Sequence, residues 1–156
     1  MSIKIKTSPT ADTRTCDWSK VTEQQLLESS IMHIGDIVQA MDFFCDKIRY
    51  QARVHDWDKI EAIGHFHSDF QTGFKETSWW DNHRKVNRHH LAQEDGIPED
   101  VNLIDVLDYI ADCCMAGAAR TGSVDKITDI ELPNDILQRA FSNTVKLLKN
   151  QIEVES

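Results

Sequence analysis

Seven histidines stand in this 156-residue chain, and several have carboxylates or amides nearby at spacings that suit an ion. His55-Asp56 opens the string His55-Asp56-Trp57-Asp58-Lys59. It sets an imidazole nitrogen beside a hard carboxylate oxygen, a pairing that divalent metals accept with positions left for water. Lys59, one helical turn past His55, is spaced to hold a phosphate oxygen, although a surface lysine is an equal reading. Asp105, Asp108 and Asp112 form a second group. At about 100° per residue, Asp108 lies about 60° and Asp112 about 20° around a helix from Asp105. Like charges at these spacings repel by about a few tenths of a kcal/mol each. A bound cation would account for them, and a solvated acidic face is the plainer alternative.

The densest polar run is Trp79-Trp80-Asp81-Asn82-His83-Arg84-Lys85-Val86-Asn87-Arg88-His89-His90. As a helix it would put His83, Asn87 and His90 on one face and turn His89 away. Arg84 and Arg88 would make a neighbouring cationic stripe. His65 and His67 are expected to be structural. His33, taken alone on an apolar helix, would be a core histidine.

These groups need elements to carry them. Residues 1–20 have little periodicity and form an arm, with a short extended stretch expected at Ile3-Lys4-Ile5. Thr22 and Gln25 stand at capping-box spacing and start a helix. From Ile31, apolar residues recur at helical spacing through Ile34, Ile37, Val38, Met41, Phe44, Cys45, Ile48 and Ala52. A second helix is expected over Leu103–Ala119. A third opens at Pro133-Asn134-Asp135 and keeps Leu137, Phe141, Val145, Leu148 and Ile152 on one stripe. That amphipathic segment, Asn134–Glu153, would cap the core or pair with a second copy in a homo-oligomer. Ile60–Leu91 reads as shorter helices and loops. The expected class is all-α, with residues 21–156 as a single domain.

Lys and Arg number 17 against 26 Asp and Glu, a formal net charge of -9. So acidic a chain is poorly suited to an extended nucleic-acid backbone or an anionic membrane. No apolar run approaches the roughly 18 residues that span a bilayer, and Met1–Thr15 has no hydrophobic signal core. Cys16, Cys45, Cys113 and Cys114 make no CxxC pair, which suits a reducing, cytoplasmic setting.

The order His33, His55-Asp56, His83, His89-His90, Asp112 resembles the HD-domain superfamily of metal-dependent phosphohydrolases. More closely, the chain resembles a group of small HD-type proteins common in bacteriophage genomes. The matching strings are His33-Ile34, the run from His55 to Lys59, His83 with Asn87-Arg88-His89-His90, Gly96, and Asn102 through Asp112. Ala116-Gly117-Ala118 and Arg120-Thr121-Gly122 continue the match, which covers roughly residues 31–145. The chain departs from the group at Asp108, where Glu is usual, at Cys113, where Trp is usual, and at Leu91-Ala92-Gln93, where Pro-Glu-His is common. Trp57-Asp58-Lys59 also lacks the Glu-Asp pair of the alarmone-hydrolase branch.

The resemblance implies a compact HD-type bundle of about five or six helices. It implies one divalent ion (Mn, Fe, Co or Mg) on His33, His55, Asp56 and Asp112, with His83 and His89 or His90 as ligands of a second. The expected activity is hydrolysis of a phosphate ester on a small nucleotide-like substrate, in the host cytoplasm if the protein is phage-encoded. Asp108 or Asp105 would orient water or act as base. Lys59, Arg84, Asn87 and Arg88 would hold the substrate, and Trp80 would stack on a base. Two alternatives remain: a dinuclear phosphodiesterase that removes a cyclic-nucleotide signal, and a non-catalytic binding or inhibitor protein that keeps the metal residues. One geometric condition follows. His33 and His55 would stand about 33 Å apart on a single straight helix, so a shared ion requires the chain to turn back, most simply between Asp42 and Tyr50.

Overall fold

The structure, a computed structural model, describes residues 2–14, 16–75, 78–127 and 130–155. Its elements in chain order are β1 (Ile3–Lys6), α1 (Glu23–Val54), α2 (Trp57–Glu61), α3 (Ile63–Gln71), α4 (Trp79–Val86), α5 (Leu103–Thr121), α6 (Asn134–Lys149) and β2 (Ile152–Glu155). Short 3-10 turns lie at Glu94–Gly96 and Val124–Lys126. The chain is thus mainly helical. None of the described helices is long and apolar enough to cross a membrane. The residues divide into two compact units, Met1–Asp46 with Lys146–Ser156, and Lys47–Val145. Of the N-terminal arm, residues 1 and 15 lie outside the described residues.

In the first unit, α1 begins where the capping box places it. Gln25 N–H donates to Thr22 Oγ1 at 3.3 Å, and Thr22 N–H donates to Gln25 Oε1 at 3.0 Å. The extended stretch at the arm is β1, and it pairs in parallel with β2, Ile3 opposite Ile152 and Ile5 opposite Val154. The apolar stripe of the third helix therefore ends at Leu148. Ile152, expected on that stripe, sits in a strand instead, because α6 stops at Lys149 and Gln151 N–H closes a turn on Leu148 O at 2.9 Å. Ile3 is buried, and with Ile5, Leu148 and Ile152 it faces Ser29, Met32 and Ala40 of α1 across a small apolar cavity.

α1 is unbroken from Glu23 to Val54. The turn between Asp42 and Tyr50 is absent. Nothing in that stretch would break a helix: it holds neither Pro nor Gly, and its apolar residues keep the helical period.

In the second unit, Leu91, Val101, Val106, Ile136 and Ala140 make a small apolar core, with Leu103, Tyr109 and Leu132 packed on it. α5 is fixed at both ends. Asn102 and Asp105 form a capping box at its start, and Gly122 at φ 69° closes it in the left-handed conformation that glycine adopts without strain. Thr144 Oγ1 accepts the Leu103 N–H at 2.8 Å, joining α6 to the first turn of α5. At Gly96 a side chain would lie 2.7 Å from the His90 carbonyl oxygen, so only glycine lets the Glu94–Gly96 turn press against His90.

Candidate metal centre

Within the second unit, α1 ends at Val54 and the chain turns sharply through His55 and Asp56. Asp56 has φ 53° and ψ 23°, a left-handed conformation that costs a non-glycine residue energy and recurs at functional sites. An amide holds it there: the Asp56 N–H donates to Asn87 Oδ1 at 3.1 Å. The Asn87 amino group donates to Asp58 Oδ1 at 2.8 Å and to the His83 carbonyl oxygen at 3.0 Å. One buried side chain therefore ties the start of α2 to the end of α4.

Two carboxylates stand behind the histidines. Asp58 lies 2.9 Å from His83 Nδ1 through Oδ2. Asp108 lies 2.9 Å from His55 Nδ1 through Oδ1 and 3.5 Å from His89 Nδ1 through Oδ2. Each thus engages the Nδ1 side of an imidazole and leaves Nε2 to point inward. The three Nε2 atoms converge on Asp56: His83 and His89 each at 3.4 Å from Oδ1, and His55 at 3.6 Å from Oδ2. Asp112 Oδ1 lies 3.9 Å from His55 Nε2. A carboxylate behind a ligating histidine fixes its tautomer and raises its basicity, as is usual around protein-bound metals.

Buried polar atoms ordinarily find partners, and here several do not. Asp56 Oδ1, His83 Nε2, both nitrogens of His89 and His90 Nε2 are buried without a hydrogen bond among the described residues. They fall into two groups whose ligand atoms all lie within 4.8 Å of one another: His55, Asp56 and His89, and Asp56, His83 and His90. Asp56 belongs to both. Nitrogen and carboxylate donors, neutral and anionic, fit a first-row divalent ion or Mg²⁺. The electrostatics agree with the ligand forms. Burial pushes His90 down to about 4, helped by His89 and His83 nearby. Burial, then the neighbouring His55, lowers His89 as well. Burial works against the charge on Asp56, but the hydrogen bond and charge of Lys59, with His55 and His89, hold its carboxyl below the usual range. His89 and His90 are thereby favoured in the neutral form and Asp56 in the ionised one, the states that bind metal.

Of the ligands implied by the resemblance, His55, Asp56, His83, His89, His90 and Asp112 come together around Asp56. His33 does not join them. It projects from unbroken α1 in the first unit and lines a cavity there with Thr10, Arg14 and Ser29. Asp105 is corrected too: it accepts from Asn102 N–H and from two nitrogens of Arg88, at 2.8–2.9 Å, and is 1% exposed. It serves the start of α5. Arg88, expected on substrate, is spent on Asp105 and Asp100, and the Asp105 hydrogen bond raises its pKa further. Arg84 pairs with Asp81 and Asp95, and Asn87 is buried in its tethering role. Lys59 pairs with Asp56. Asp108 has both oxygens engaged, by His55 and by Gln51 Nε2 at 2.9 Å, so it braces His55. Trp80 packs on His83 and Phe74 at ring-centroid distances of 5.0 and 4.9 Å. Its edge, with Arg84, His90, Tyr109 and Asp112, lines a cleft of about 110 Å³. His65 and His67 are exposed on α3. The residue that sequence reasoning passed over is Asp58, although a second carboxylate two residues after Asp56 was the available signal.

No family model matches the chain, and neither does any curated protein or solved structure.

Proposed function

We propose that the protein is a metal-dependent phosphohydrolase whose centre takes two divalent ions sharing Asp56, and that it cleaves a phosphate ester of a small nucleotide-like molecule. One observation carries this reading. The buried, unpartnered Oδ1 of Asp56 has unpartnered histidine nitrogens on both sides, His89 in one group and His83 in the other. A single ion would use one group and leave the other buried and unsatisfied, at a cost of about 1–3 kcal/mol per polar atom. The dinuclear alternative is therefore better supported than the one-ion nucleotidase.

His55, Asp56 and His89 would hold one ion, with Asp112 beside them; Asp56, His83 and His90 would hold the other. Divalent ions in such a centre supply Lewis-acid polarisation of a phosphoryl oxygen and make water a better nucleophile. The chain does the rest. Asp108 and Asp58 keep the imidazoles oriented. Lys59, hydrogen-bonded to Asp56, is the cation nearest the shared carboxylate and would meet a phosphate oxygen. The cleft is small, which suits a phosphate group entering end-on, with Arg84 and Trp80 at its wall.

The test is metal analysis and a hydrolysis screen of nucleotides, deoxynucleotides and cyclic nucleotides, on wild type and His83→Ala side by side. Two ions per chain falling to one, with loss of phosphodiester cleavage, is the expected result. A count near one that His83→Ala leaves unchanged returns the site to a one-ion nucleotidase. Metal without turnover on any phosphate ester removes the enzymatic reading and favours a binding protein.

A further inference from the structure

Within the first unit, α1 carries apolar residues on two opposite faces. Ser29, Met32 and Ala40 face the β-sheet and Leu148. About 160° around the axis runs a second stripe: Leu27, Ile31, Ile34, Val38, Met41 and Cys45. Its intervals are 4, 3, 4, 3 and 4 residues, the heptad spacing of a coiled-coil seam. No charged or polar residue interrupts it. The seam is bare: Leu27 is 53% exposed, Ile31 60%, Ile34 62%, Val38 53% and Met41 56%. Scattered exposed apolar residues are ordinary, but a contiguous stripe of this size marks an interaction surface.

We infer that this seam is the interface of a homodimer, in which α1 of one copy packs along α1 of a second. The size and the symmetry favour a second copy. The five exposed seam residues are each more than half exposed along about four helical turns, so with their flanking side chains the face approaches the ~800 Å² per partner of a standard stable interface. A two-fold dimer requires one patch that complements itself, and an uncharged heptad seam does so: every layer sets apolar against apolar whichever way the partner helix runs. A partner of other chemistry would need to bring an equally long uncharged stripe of its own. The inference does not depend on the proposed activity.

Sedimentation and light scattering on the full chain provide the test. Wild type is expected at twice the monomer mass at micromolar concentration. Val38→Asp and, separately, Ile34→Asp each put two carboxylates into the seam of the dimer and should weaken it by on the order of a hundredfold or more. Both positions are exposed in the single chain, so the helical circular-dichroism spectrum should survive. Val124→Asp, at an exposed position of the second unit, should leave the mass unchanged. Wild type that remains monomeric at ~100 µM overturns the inference. So does a dimer that persists in both seam variants.

Discussion

Two places on the second unit use the same kinds of residue to opposite ends. At the start of α5, Asp105 is buried and every contact it makes is answered: two from Arg88, one from the Asn102 amide. One and two turns further along the same face stand Asp108 and Asp112, beside His55 and near His89, whose two ring nitrogens are buried without a hydrogen bond among the described residues. Asp105 is a buried charge that the fold itself consumes. Around Asp56, the fold gathers polar atoms that no hydrogen bond among the described residues satisfies. Three aspartates at helical spacing therefore do not form one functional set. Position relative to a helix cap and to a cationic partner divides them.

The largest effect that would sharpen this contrast is on the structural side. Arg88→Ala leaves Asp105 buried without its main partner and should cost about 3 kcal/mol, near the low end for breaking a buried ion pair. Metal content per folded chain should not change. Denaturant titration with metal analysis checks both, and a loss of metal with little loss of stability would reverse the assignment. Next is Asp58→Asn, which keeps the shape but weakens the support behind His83. Metal affinity should fall about 10–100-fold, with at most a minor change in the melting temperature of the metal-free protein; isothermal titration would show it. The smallest effect is acid sensitivity. His90 is held down to about 4 in the folded chain, against about 6.5 when unfolded. Between those values the unfolded chain binds a proton that the folded one does not. The stabilising difference is complete above pH ~6.5 and is lost as pH falls through the window toward ~4. The denaturation midpoint of metal-free protein should drop across that range, and His90→Gln should flatten the drop.

What could be foreseen follows from which interactions are local. The Thr22–Gln25 box, the extent of α5 and the adjacency of His55 and Asp56 depend on neighbours within a few residues, and all were legible. The pairing of His83 with His90 was expected from a helical face, yet α4 ends at Val86 and His90 reaches His83 through a loop held against Gly96. Asp58 behind His83 and Arg88 across to Asp105 join residues 25 and 17 apart. Such contacts leave no periodic trace. Only a ligand set that includes His33 requires a turn in α1. The helix obeys its own composition instead, and His33 stays with the first unit. Ile152 fits a helical stripe as well as it fits a strand, and only its pairing with Ile3 decides between them.

That pairing has a consequence for how the chain folds. β1 and β2 join segments separated by about 145 residues, so forming their ladder closes a loop whose entropy cost is roughly 4 kcal/mol. Four residue pairs in a two-stranded ribbon repay little of that by themselves. The ladder is therefore expected to form after α1 and α6, and to open more readily than the packed core of the second unit. Its amides would exchange with solvent by local opening while the second unit's core stays closed. The sheet is a late clasp, and the order of folding runs from the helices outward to it.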